Sequence, residues 1–143
     1  MGDSKAKLET ISWDEAWEHV RAILPDAVYM TPGSLRAAAE SAGRPITITH
    51  HANPPASSDY RTALTELLNL CNSDEHVIAI TDHSFTPGGS PFLLHRSGSR
   101  SFADAYFKAT GETILSGADV VFISPESRSL LLADHEGRVS LIR

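Results

Sequence analysis

Three short apolar runs close the chain, and they restrict its architecture more than any other feature. Residues 119–124 (DVVFIS), 129–133 (SLLLA) and 138–142 (RVSLI) are rich in aliphatic and β-branched side chains. Between them lie Pro125-Glu126-Ser127 and Asp134-His135-Glu136-Gly137, whose residue types favour tight turns. The pattern predicts a three-stranded antiparallel meander. Further back, residues 77–81 form a continuous apolar stretch, which predicts a strand buried on both faces. Residues 92–95 (FLLH) follow a Pro/Gly loop as its expected antiparallel neighbour, and residues 46–51 (ITITHH) alternate like a half-exposed strand. A further short strand is expected at residues 27–30 (AVYM).

Helices dominate the first part of the chain. Ser12-Trp13-Asp14-Glu15 is a capping box, and Trp13, Ala16, Trp17, Val20, Ile23 and Leu24 recur at helical spacing until Pro25. A second helix is expected over residues 34–42, with Gly43 at its C-terminal cap. The third, from 58 to about 72, carries Tyr60, Ala63, Leu64, Leu67, Leu68 and Cys71 on one stripe. Ser101 is the expected cap of a fourth, which ends at Gly111. Residues 1–10 read as a polar, mobile lead-in. Residues 11–143 then form a single α+β (mixed α/β) domain, with about four helices on a mixed sheet that ends in the meander.

With 143 residues, the chain suits one core, and a formal net charge of −6 argues against non-specific nucleic-acid binding. That charge suits a basic protein partner. No apolar run is long enough to span a bilayer, and the first residues carry no secretory signal, so a cytoplasmic protein away from membranes is expected. Cys71, the single cysteine, is expected to be a buried structural thiol.

Functional signals are sparse. His50, His51, His83, His95 and His135 sit at expected strand ends, but the spacing of a metal site is missing and adjacent strand residues face opposite ways. No metal is expected. Asp82-His83-Ser84 has the residue types of a hydrolytic triad, yet contiguous residues cannot adopt its relay geometry. Pro87-Gly88-Gly89 fits a type II turn. The stretch therefore reads as a strand leading into a turn. Arg96 and Arg100 flank a serine-rich approach to the fourth helix and are the candidate anion ligands, although no Walker lysine or GxGxxG is present. No cofactor is expected. Acidic Asp14, Glu15, Glu18, Asp74 and Glu75 are the candidate surface for a basic partner.

The closing segment GADVVFISPESRSLLLADHEGRVSLIR resembles the end of many small bacterial immunity proteins encoded beside contact-dependent-inhibition or other polymorphic toxins. Those proteins are similar in size, acidity and lack of a catalytic motif. The resemblance implies stoichiometric binding and neutralisation of a basic, nuclease-type toxin domain, and it transfers no functional residue. Two alternatives stay open. One is a small hydrolase, with or without a metal's assistance, that uses Asp82, His83 and His51 from the strand ends. The other is a structural or regulatory module that self-associates through its C-terminal edge strand.

Overall fold

The computed structural model describes residues 8–51, 60–69, 75–115, 119–135 and 138–143. In chain order these form β1 (Glu9–Thr10), α1 (Trp13–Ile23), α2 (Pro32–Ser41), β2 (Ile46–His51), α3 (Tyr60–Asn69) and β3 (His76–Ile80). Then follow β4 (Phe92–His95), α4 (Ser99–Thr110), β5 (Val120–Ser124), β6 (Ser129–Ala133) and β7 (Arg138–Ile142). The strands make one sheet in the order β1-β4-β3-β5-β6-β7-β2. The fold is a single α+β domain, and every strand pair in the sheet is antiparallel.

Strand alternation decides which side of the sheet each side chain joins. Val77 and Ala79 of β3, Val120 and Phe122 of β5, and Leu131 and Ala133 of β6 enter one core. Their neighbours Ile78, Ile80, Val121, Ile123, Leu130 and Leu132 enter the other. Both faces of the central strands therefore need cover. Helices α3 and α4 close the first core through Leu64, Leu68, Phe102, Ala103 and Tyr106. Helices α1 and α2 close the second through Ala16, Val20, Ile23, Leu35 and Ala39. Continuous apolar strands are commonest in parallel sheets. Here helices on both faces let an antiparallel sheet carry them.

Packing outweighs capping in holding this arrangement. Phe122, Ile123 and Leu130 are fully buried, and each such side chain contributes about 1.5–3 kcal/mol. A helix cap such as Ser12, whose hydroxyl accepts from the Glu15 N–H at 3.1 Å, contributes about 1 kcal/mol. Polar ties add orientation. Arg36 of α2 donates to Ser140 Oγ of β7 at 3.2 Å and meets Asp134 at 3.4 Å. Arg44 donates to the Ile23 carbonyl at the end of α1 at 2.8 Å.

Several local expectations change. Glu9-Thr10 are not part of a mobile lead-in, because they pair with Leu93 and Phe92 as an edge strand. Residues 27–30 form an irregular segment rather than a strand: Ala27 and Met30 are buried while Val28 and Tyr29 face out. Helix α2 starts earlier than expected, capped by Thr31 with Pro32 in its first turn. The fourth helix starts at Ser99 behind Gly98, so Ser101 lies inside it rather than capping it. Strand β7 lies between β6 and β2, so the C-terminal strand is not an edge and cannot serve for edge pairing. The two ends of the expected third helix, Cys71 with them, and the Glu136-Gly137 part of the last turn lie outside the described residues.

The expected type II turn forms after a 3₁₀ turn at Asp82–Phe85. Gly88 has φ 78°, and the Gly89 N–H donates to the Thr86 carbonyl at 2.7 Å. A Cβ on Gly89 would lie 2.6 Å from the His83 carbonyl oxygen and 2.7 Å from that of Ser84. Those are backbone atoms, which cannot rotate away. Gly89→Ala is therefore expected to lower the unfolding free energy by about 1–3 kcal/mol. Gly33→Ala, in α2 with nothing within 4 Å, is expected to be neutral or to stabilise by up to about 1 kcal/mol. Urea midpoints of the two variants test the contrast.

Candidate functional site

The site lies where strands β3 and β5 reach the ends of helices α1 and α2. After Ile80, Thr81 begins a tight capped turn: the Thr81 hydroxyl accepts from the His83 N–H, and the Thr81 N–H donates to the Ser84 hydroxyl at 3.1 Å. The turn sends Asp82 and His83 apart. Asp82 is exposed and lines a hollow of about 170 Å3 with Met30, Thr31, Pro32, Ile80, Phe85, Asp119 and Val121. His83 goes the other way, edge-on to Tyr106 of α4 with ring centroids 5.8 Å apart. Its Nε2 lies 2.6 Å from Glu112 Oε1.

The sequence reading missed Glu112 as the carboxylate partner of His83, because the pair meets only through the packing of α4. Among the described residues Glu112 is the only hydrogen-bond partner of the His83 ring. Behind the ring, the Tyr106 hydroxyl donates to Thr81 Oγ1 at 3.0 Å. Burial, reinforced by the Glu112 and Asp82 charges, raises the Tyr106 phenol above its usual range against the effect of that hydrogen bond.

The proposed Asp82, His83 and His51 set does not assemble. His51 pairs with Arg138 on the outer strand β2, four strands across from β3, or about 19 Å at the usual strand spacing. His135 instead meets Asp119, its backbone N–H donating at 2.7 Å with Nδ1 at 3.1 Å. His95 sits edge-on to His76 at 4.8 Å, with Glu9 Oε1 3.4 Å away. Among the described residues, no three His, Cys, Asp or Glu side chains gather closely enough to hold a metal ion.

A groove of about 340 Å3 adjoins the hollow and shares Met30 and Phe85 with it. Trp13, Trp17, Val28 and Tyr29 line it together with Ser84, Thr86 and Gly89. Trp13 and Phe85 pack with ring centroids 5.1 Å apart, and the Arg21 guanidinium lies over Trp17 at 4.6 Å. Val28, Tyr29 and Phe85 remain 68%, 67% and 54% exposed. Helical spacing puts both tryptophans on the apolar stripe of α1 but does not by itself assign them a role. Their signal was the width of that stripe, which holds more bulk than the second core takes in.

The acidic candidates separate. Asp14, Glu15 and Glu18 are exposed on α1, the helix whose tryptophans line the groove. Asp74 lies outside the described residues. Glu75 precedes β3 while Asp82 follows it, so the two stand roughly 20 Å apart by strand rise. Glu75 shares a hollow with both candidate anion ligands, Arg96 and Arg100. Arg96 donates to Asn69 Oδ1 at 2.8 Å and Arg100 to Thr62 Oγ1 at 3.2 Å. A carboxylate in the same hollow opposes an incoming anion.

Comparison with known proteins returns no matching family model, no matching curated protein and no matching solved structure. No helix among the described residues is long and apolar enough to cross a membrane.

The Ser97 hydroxyl donates to Glu75, and this bond, helped by the Ser97 backbone N–H and less by His95 and His76, holds the carboxyl below its ordinary value against the opposing effect of desolvation. A depressed carboxyl pKa stabilises the fold above the ordinary carboxylate range, and that contribution is lost as pH falls through the lowered value. Ser97→Ala is expected to move the Glu75 titration up towards the ordinary range. Carboxyl NMR of the variant checks this; an unmoved titration would show that the serine is not the cause.

Proposed function

We propose that this chain is a small acidic binding protein of the immunity type. It associates stoichiometrically in the cytoplasm with a basic, nuclease-type bacterial toxin and neutralises it. The observation that carries this reading is the groove of Trp13, Trp17, Val28, Tyr29 and Phe85. Scattered exposed apolar residues are ordinary on any protein surface. Contiguous ones rimmed by charge are the mark of an interaction surface, and tryptophan and tyrosine are the residues that most often dominate binding energy there.

The electrostatics fit the same partner. A net charge of −6, with Asp14, Glu15 and Glu18 exposed on the helix beside the groove, favours encounter with a basic surface. The groove is wide open to solvent, which suits a macromolecular surface better than an engulfed metabolite. Binding here would leave the His83–Glu112 pair on the α4 side of the strand tip as a structural contact.

Co-purification with the product of the adjacent gene, followed by calorimetry, tests the reading. Tyr29→Ala and Phe85→Ala are each expected to weaken the complex by about 2 kcal/mol or more, roughly 30-fold. The triple change Asp14→Asn, Glu15→Gln, Glu18→Gln is expected to slow association and flatten its dependence on salt. No association at micromolar concentration, or an affinity indifferent to Tyr29→Ala and Phe85→Ala, overturns the reading.

A further inference from the structure

We infer that the hollow beside the aromatic groove is a receptor for one arginine side chain of the partner. The inference rests on the binding reading above and specifies what the partner must present. The hollow measures about 170 Å3, below the roughly 300 Å3 at which small-molecule sites begin. That is room for one side chain. Its floor is apolar, made by Met30, Ile80 and Val121, while Asp82 and Asp119 supply two carboxylates. A long side chain with an aliphatic stem and a cationic head matches this division.

The two acids are neighbours through strand register. Ile80 pairs with Val121 across β3 and β5, and Asp82 and Asp119 each lie two residues beyond that pair on their own segments, both lining the hollow. Two carboxylates that line one small hollow repel each other. Among the described residues, none donates a hydrogen bond to the Asp82 carboxylate, and no lysine or arginine lines the hollow. Asp119 Oδ1 is held by His135. The N-terminal end of α2 also borders the hollow through Thr31 and Pro32. Its dipole amounts to about half a positive charge, against two full carboxylates. The site as a whole attracts a cation.

Arginine fits better than lysine for two reasons. A planar guanidinium can bond two carboxylates in a fork, whereas an ammonium is a compact point charge. Phe85 lines both the hollow and the groove, which offers a ring for guanidinium stacking. The groove then receives an apolar residue flanking that arginine.

The test uses the intact protein and three small probes: N-acetyl-arginine amide, its uncharged citrulline counterpart and N-acetyl-lysine amide. Amide NMR titration is expected to show the arginine probe shifting Met30, Asp82, Asp119 and Val121, with weaker shifts from lysine and none from citrulline. Asp82→Asn with Asp119→Asn is expected to weaken the arginine probe by about fivefold or more. The triple change on α1 should leave the probe's binding unaltered. Equal shifts from arginine and citrulline, or arginine shifts untouched by the Asp82→Asn, Asp119→Asn pair, overturn the inference. The two readings fail separately. Probe binding without toxin association removes the immunity reading and keeps the arginine receptor. Toxin association that ignores Asp82→Asn with Asp119→Asn removes the receptor and keeps the immunity reading.

Discussion

Everything in this molecule follows from strands that are apolar on both sides. Strands β3, β5 and β6 send alternate residues into two separate cores, and neither face can be left to water. One helix pair on each face is the arrangement that buries both sets. Each buried side chain contributes more than any single cap or ion pair. The polar ties at Arg36 and Arg44 therefore act mainly on orientation, holding α2 to β7 and the end of α1 in place.

The same constraint locates the candidate functional surface. Strand tips are where an apolar interior gives way to turns, and those turns carry the polar residues. At the tip of β3 one short 3₁₀ turn divides two adjacent residues between the two sides of the sheet. Asp82 faces the hollow beside α2, and His83 is committed to Tyr106 and Glu112. Gly89 lets the following loop lie against this turn, which brings the loop to the wall of the aromatic groove. Groove wall and scaffold share these few residues, so changes there alter the fold and the shape of the groove together.

Legibility followed the range of the interactions involved. The Ser12 hydroxyl cap and the Pro87-Gly88-Gly89 turn depend on neighbours a few residues away, and both formed, the cap without the return bond from Glu15 that a capping box would add. The β3–β4 pair, joined through one loop, formed as expected. The position of β7 was misread because strand order depends on which distant strand arrives beside it, here β2. Tyr29 and Phe85 escaped notice as a pair. One lies in an irregular segment and the other in a 3₁₀ turn, and no period links them.

The amino-acid sequence by itself determined the class of fold, the helices and the apolar strands, since periodicity and turn chemistry are local properties of the chain. It also determined the acidic balance, a formal net charge of −6. Only the tertiary structure decided that Glu112 would serve His83, that His51 would stand four strands from Asp82, and that Asp82 and Asp119 would line one hollow. The physical reason is that contacts between distant segments are set by strand order and by helix packing on each face. Neither is written in the spacing of any single segment.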